Sequence, residues 1–106
     1  MKFKKSLGQN FLIDKNIIKK ILLLSALKNK EIIEIGPGTG NLTIEILKTS
    51  PKRLICIEKD KLLANKLRDN FRENKKLLVI NNDILKFNIK SLLTNETIIL
   101  GNLPYN

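Results

Sequence analysis

The sequence is poor in the residue types on which much enzyme chemistry depends. Its 106 residues contain no histidine, no tryptophan and a single cysteine, Cys56. A catalytic triad of the usual kind needs an imidazole, and a Cys-rich or His-ligated metal centre or an internal disulfide needs more than one such residue. Such sites are excluded, so we expect no metal, and the chemistry must proceed without imidazole.

Long apolar runs are also missing. The longest have four residues, as at 21–24 and 77–80, whereas a membrane-spanning helix needs about 20. The charged start, MKFKKSLG, leads into no apolar signal-peptide core. The sequence therefore predicts a soluble, cytoplasmic protein without membrane contact, although an organellar location is left open.

Basic residues are abundant and unevenly distributed. The chain has 20 Lys and Arg against 10 Asp and Glu, a net charge of +10, and its first 30 residues hold eight lysines against one carboxylate, Asp14. A one-sided positive field is typical of proteins that bind nucleic acid, although a Lys-rich composition also arises from coding bias. We predict that lysines of this segment contact nucleic-acid phosphates, among them Lys4, Lys5, Lys19 and Lys20.

Apolar periodicity predicts an alternation of strands and helices. Short β-branched runs indicate strands at 31–35, 53–58, 77–80 and 97–100, and four-residue spacing indicates helices from Asp14 to about Leu27, at 41–49 and at 60–73. Residues 84–94 are ambiguous. Strands separated by helices predict an α/β fold with a parallel, doubly wound sheet, on which ligands bind at the carboxyl ends of the strands.

Three glycines lie between the first of these strands and the following helix, at Gly36, Gly38 and Gly40. A dinucleotide-binding turn would place its third glycine at Asn41, and no Gly-Lys-Ser/Thr follows as in a phosphate-binding loop. The G-x-G-x-G spacing resembles the first motif of S-adenosylmethionine-dependent methyltransferases. A tight turn needed only for packing is the alternative.

Two carboxylates follow the next two strands. Glu58 lies 22 residues after Gly36, close to the offset at which an acidic residue binds the ribose hydroxyls of a nucleoside cofactor. Asp83 is placed to accept from an adenine amino group, with Ile84 against the ring. The alternatives are a solvated charge beside Lys59 for Glu58 and a capping role for Asp83.

The segment Asn102-Leu103-Pro104-Tyr105 resembles the motif of enzymes that methylate the amino group of adenine. The side-chain carbonyl of Asn102 and the main-chain carbonyl of Leu103 would accept the two hydrogens of this weakly nucleophilic amine. Pro104 would stiffen the loop, and Tyr105 would stack on the extruded base. The alternative is an Asn-x-Pro turn with a buried tyrosine.

Taken with these motifs, the segment 8–12 (GQNFL) makes the chain resemble the ribosomal RNA adenine dimethyltransferases, which modify two adjacent adenines near the end of small-subunit ribosomal RNA. The resemblance implies a Rossmann-like, class I methyltransferase fold and S-adenosyl-L-methionine as cofactor. It implies a monomer whose partner is small-subunit ribosomal RNA or the pre-ribosomal small subunit. The cofactor-binding residues that it implies are Asn10, Leu12, Gly36, Gly38, Gly40, Glu58, Asp83, Ile84 and Asn102.

Members of this family continue well beyond the Asn-Leu-Pro-Tyr motif, with further strands and a C-terminal helical domain. The resemblance therefore implies that 1–106 is the N-terminal part of one methyltransferase domain, truncated after its fourth strand. Within it, 1–30 would be a basic segment and helix, and 31–106 would be the cofactor-binding units that end at the catalytic loop.

Three other functions share part of this pattern. A methyltransferase of large-subunit ribosomal RNA, of the type that confers antibiotic resistance, shares several motifs, but Gly8, Pro37, Leu103 and Asn106 fit the small-subunit type better. A non-catalytic transcription factor with this fold would not need Gly36, Glu58, Asp83 and Asn102 all intact. A nicotinamide-dependent dehydrogenase is disfavoured because position 41 is not glycine.

Overall fold

A computed structural model describes the backbone of residues 11–12 and the whole of residues 27–101. Two helices and five strands lie in this part of the chain, together with a single 3₁₀ turn at Ile89–Leu92. The helices are α1, Asn41–Lys48, and α2, Lys61–Asn70. The strands are β1, Phe11–Leu12; β2, Glu31–Ile35; β3, Arg53–Glu58; β4, Leu77–Asn81; and β5, Ile98–Gly101.

The five strands form one sheet in the order β1-β5-β2-β3-β4, and every neighbouring pair is parallel. The predicted α/β fold with a parallel sheet is confirmed. Four strands were predicted, and the sheet has a fifth, β1. It was not predicted because two residues are too few to show a strand pattern. The strands predicted at 31–35 and 53–58 are confirmed to the residue, and the last strand starts one residue later than predicted.

The helices differ from prediction mainly at their ends. The helix predicted at 60–73 covers only Lys61–Asn70, because Asp60 is its N-cap, accepting from the Leu63 backbone N–H at 3.0 Å, and the chain turns at Phe71. The ambiguous segment 84–94 contains the 3₁₀ turn. The helix predicted from Asp14 lies outside the described residues except at its last residue, Leu27.

Both faces of the sheet are buried, which explains why its strands are apolar at nearly every position. The helices cover one face, where Ile46 of α1 and Leu67 of α2 pack on β2, β3 and β5. On the other face Ile84 and Phe87 pack against a layer of isoleucines: Ile33, Ile35, Ile55, Ile57, Ile89 and Ile99. In the described part of the chain no helix is long and apolar enough to cross a membrane.

Two leucines of α2 offer a test of the helix-side core. Leu67 is 1% exposed and Leu62, one and a half turns earlier, is 76% exposed. We expect Leu67→Ala to lower the free energy of unfolding of the complete protein by about 2 to 5 kcal/mol, since it leaves a cavity. Leu62→Ala should change it by less than about 0.5 kcal/mol. Equal midpoints in urea unfolding of the two variants would contradict this packing.

Candidate active site

Parallel pairing brings the predicted site residues to one edge of the sheet. Ile35, the last residue of β2, lies opposite Ile57 of β3 and Gly101 of β5, and Glu58 lies opposite Asn81 of β4. The Gly36 turn, Glu58 and Asp83 therefore share the carboxyl edge, as predicted from the order of the elements. The backbone of Leu12 lies opposite Leu100 near the same edge.

The three glycines of the turn serve different purposes. All have positive φ, which L side chains rarely adopt. Among the described residues, a Cβ atom placed on Gly36 would meet no atom within 4 Å, and one on Gly38 would meet only the Gly36 carbonyl at 4.0 Å. A Cβ on Gly40 would lie 2.9 Å from Cδ1 of Leu67. Gly40 thus allows α1 to pack against α2, whereas the described residues leave space for a ligand beside Gly36.

The carboxylate of Glu58 is held by main-chain donors. It is only 7% exposed; Oε1 accepts from the Gly38 N–H and Oε2 from the Asp60 N–H, both at 2.9 Å. The alternative of a solvated surface charge is therefore wrong. A carboxylate has about four acceptor positions, so after these two bonds about two remain for a ligand.

Asp83 has the capping role that was its alternative. Its Oδ1 accepts from the Leu85 N–H at 2.9 Å, and its main-chain carbonyl accepts from the amides of Lys86 and Phe87. Its Oδ2 lies 3.8 Å from Nζ of Lys59, which is an exposed side chain. Because Oδ1 carries the cap, Oδ2 is the oxygen left to accept from a ligand. Adenine binding by Asp83 and Ile84 stays a prediction.

Sequence reasoning missed a second buried carboxylate, Glu34. It is 2% exposed, and its Oε1 accepts from Oγ1 of Thr43 at 2.6 Å and lies 3.5 Å from Sγ of Cys56. The bond to Thr43 joins β2 to α1 across the Gly36 turn. The sequence does contain a signal for it. Glu34 is a charged residue two positions after Ile32, so it faces the same side as Ile32 in a strand that is buried on both faces.

Burial raises the pKa of Glu34 to about 7, opposed by the hydrogen bonds from Thr43 and Cys56 and reinforced by the charge of Glu58. Burial also raises the pKa of the Cys56 thiol, and the charge of Glu34 adds to this effect. Cys56 therefore stays a neutral thiol, and Glu34 is the group here that changes charge near neutral pH.

Several predicted residues lie outside the described part of the chain. They are Asn10, the segment Asn102, Leu103, Pro104 and Tyr105, and the four lysines Lys4, Lys5, Lys19 and Lys20. Their roles stay predictions. Over residues 27–101, no group of three or more Cys, Asp and Glu side chains is arranged to hold a metal ion.

Comparison with known proteins decides the family. The family described as "Ribosomal RNA adenine dimethylase" matches this chain over residues 1–106, its entire length. The chain belongs to this family.

Curated relatives match all or nearly all of this chain, whereas it spans only about 40% of their length. Ribosomal RNA small subunit methyltransferase A of Pelagibacter ubique is 48% identical over 106 residues, covering 100% of this chain and 40% of the relative. The protein of the same name from Staphylococcus aureus is 46% identical over 110 residues, covering 97% of this chain and 37% of the relative.

Solved structures agree with the dimethylase fold. The 23S rRNA methyltransferase ErmE is 30% identical with a TM-score of 0.66, over 91% of this chain and 38% of that one. A dimethyladenosine transferase from Plasmodium falciparum is 28% identical with a TM-score of 0.67, over 90% and 34%. The predicted Rossmann-like, class I methyltransferase fold is confirmed.

The raised pKa of Glu34 predicts a pH dependence of stability. The folded state holds this proton up to about pH 7, whereas an unfolded carboxyl releases it near pH 4.5. The contribution of Glu34 to stability is therefore greatest at low pH and is lost as the pH rises from about 4.5 to 7. In Glu34→Gln, the decline in unfolding free energy between pH 5 and pH 8 should be smaller by about 1 to 3 kcal/mol.

Urea unfolding of the complete protein at a series of pH values measures this effect. Identical pH profiles for the unmodified protein and for Glu34→Gln would contradict the assignment of a protonated, buried carboxyl.

Proposed function

We propose that the protein transfers methyl groups from S-adenosyl-L-methionine to the exocyclic amino groups of two adjacent adenines in small-subunit ribosomal RNA. The observation that carries the proposal is the open face of the Gly36 turn beside the buried carboxylate of Glu58, in a chain of the dimethylase family. A close approach of a ligand to the backbone at Gly36 and acceptors for ribose hydroxyls at Glu58 are the two features that this cofactor requires.

The residues present fit the cofactor. The open space at Gly36 suits its methionine part, with the main chain of Gly38 and Gly40 completing the turn. The two remaining acceptor positions of Glu58 match the two hydroxyls of a ribose. Asp83 Oδ2 would accept from the adenine amino group, with Ile84 against the ring. Bound there, the cofactor supplies a methyl group on a positively charged sulfur.

The catalytic segment would start at the same edge. Gly101, the last residue of β5, lies opposite Ile35, which directly precedes the Gly36 turn, so β5 ends beside the proposed cofactor site. The carbonyls of Asn102 and Leu103 would accept the hydrogens of the target amine and orient its nitrogen towards the methyl group. This mechanism needs no imidazole. Tyr105, held by Pro104, would stack on the base.

The choice of small-subunit over large-subunit ribosomal RNA rests on the relatives. The Pelagibacter ubique protein, at 48% identity, is named for the small subunit, and ErmE, at 30% identity, is named for 23S rRNA. Methylation assays that offer both ribosomal RNAs separate the two functions. We further propose a cytoplasmic monomer whose partner is the rRNA or the pre-ribosomal small subunit. Asn10 and Leu12 would border the cofactor.

Glu58→Ala tests the cofactor site. Losing the hydrogen bonds of a charged acceptor should weaken S-adenosyl-L-methionine binding by about 1.5 to 3 kcal/mol, measured by titration calorimetry on the complete protein. The same change also frees the Gly38 N–H, so the folded state of the variant must be checked by its thermal transition.

Glu45→Ala is the matched control, because it removes one half-exposed carboxylate from the outer side of α1. Its cofactor affinity should equal that of the unmodified protein. A folded Glu58→Ala protein with unchanged affinity would remove Glu58 from the site.

Asn102→Ala tests catalysis separately from binding. If Asn102 acts on the amine as it becomes nucleophilic, the single-turnover rate at saturating RNA and cofactor should fall at least about tenfold, equivalent to about 1.4 kcal/mol. RNA affinity should change little. Tyr105→Ala should weaken RNA binding as well, because stacking already exists before the reaction. Dimethylation by Asn102→Ala at the unmodified rate would show that the segment is only a turn.

A further inference from the structure

The amino edge of the sheet, opposite the candidate active site, is strongly basic. We define it as the loops that precede the strands, 27–30, 49–52, 71–76 and 93–97. These loops carry two carboxylates, Glu73 and Glu96, against six basic side chains: Lys28, Lys30, Lys52, Arg72, Lys75 and Lys76. By contrast, loops 36–40, 59–60 and 82–87 at the carboxyl edge carry two carboxylates and two lysines. The positive charge of the described sheet thus lies away from the proposed methyl-transfer site.

Backbone hydrogen bonds fix three of these loops side by side. The Asn29 N–H donates to the Ser50 carbonyl at 3.0 Å, and the Lys52 N–H donates to the Lys30 carbonyl at 2.9 Å. The Leu54 N–H donates to the Lys76 carbonyl at 2.9 Å. The starts of β2, β3 and β4 are therefore adjacent, at the strand spacing of about 4.8 Å. Their lysines belong to one continuous surface with a fixed backbone.

Part of this charge is not neutralised within the sheet. Lys30 lies 3.5 Å from Glu96, and Arg53 at the start of β3 lies 3.3 Å from Glu31. Lys52, Lys75 and Lys76 are exposed, and none of them forms an ion pair with another residue of 27–101. These three ammonium groups remain available to an external anion.

An open groove of about 570 Å³ lies on the same edge. Lys75 and Lys76 line it together with Ser50, Asn74 and Glu73, above an apolar floor that includes Pro51. The two lysines outweigh the one carboxylate of the lining, and the hydroxyl and amide are hydrogen-bonding groups suited to phosphate oxygens. The groove thus offers an open, net positive surface to a phosphodiester backbone.

We propose that the amino edge binds the sugar-phosphate backbone of ribosomal RNA at a distance from the target adenines, through Lys52, Lys75 and Lys76. This inference rests on the proposed function, which supplies the RNA partner. β3 spans roughly 20 Å from one edge of the sheet to the other, so the phosphates bound here belong to RNA that flanks the modified nucleotides. The contact is independent of base sequence and contributes affinity and orientation.

The test compares two triple variants of the complete protein that remove the same charge. One is Lys52→Gln, Lys75→Gln, Lys76→Gln; the control is Lys48→Gln, Lys66→Gln, Lys90→Gln, whose lysines are exposed on α1, on α2 and in the 3₁₀ turn. RNA binding is measured over a range of salt concentrations with two probes. One is a short oligonucleotide that contains the target adenines, and the other is a small-subunit rRNA fragment with helices on both sides of them.

For the long fragment, the amino-edge variant should flatten the slope of log affinity against log salt by about 2, as expected for the loss of three phosphate contacts. Its binding of the short oligonucleotide and of S-adenosyl-L-methionine should be unchanged, and the control should keep the slope of the unmodified protein. Equal slopes in all three proteins, or equal flattening by both variants, would overturn the inference. The three lysines would then contribute no more to RNA binding than other exposed lysines do.

The methylation reaction separates this inference from the one on which it rests. If the unmodified protein methylates the long fragment and the amino-edge variant binds it with an unchanged salt slope, only the amino-edge inference fails. If the unmodified protein neither binds nor methylates ribosomal RNA, the proposed function fails and the amino-edge inference fails with it. If the amino-edge variant lost the binding of the unmodified protein to anionic lipid vesicles but kept its RNA binding, the surface would bind a membrane and the inference would be overturned.

Discussion

The buried carboxylate of Glu58 is the interaction on which the candidate site depends. Because Oε1 accepts from Gly38 and Oε2 from Asp60, one side chain fixes both the glycine turn after β2 and the turn that leads from β3 into α2. A buried carboxylate is costly unless it is hydrogen-bonded. The two main-chain N–H groups fill about two of its four acceptor positions. The remaining positions are the ones that the hydroxyls of a ribose would occupy. The same group thus holds the two turns together and is the proposed ligand acceptor.

Glu34 is a contrasting case on the neighbouring strand. It lies opposite Cys56 on the same side of the sheet and is more buried than Glu58, and its partner is the hydroxyl of Thr43 in α1. Because burial raises its pKa to about 7, it is largely protonated in mildly acid solution. The two carboxylates close to one turn therefore differ in role: Glu34 joins strand to helix, and Glu58 is the one proposed to face the ligand.

The fold was largely predictable because its strands are short, β-branched and separated by clear helical spacing. The edge position of Gly36, Glu58 and Asp83 followed from strand order alone, since the carboxyl ends of parallel strands coincide. The features that the sequence did not predict depend on contacts between distant segments. β1 is too short to show a pattern, the role of Gly40 is set by Leu67 of α2, and the bonds of Glu34 join three elements. The amino-edge lysines are scattered in sequence and become one surface only through the sheet.

Methylation of ribosomal RNA in the cell tests the central claim most directly. Mass spectrometry of small-subunit rRNA from cells with and without the gene would compare the adenines near its end. The account predicts two adjacent dimethylated adenines in the first sample and unmethylated ones in the second, with large-subunit rRNA the same in both. Identical small-subunit rRNA in the two samples, or a difference confined to the large subunit, would contradict it.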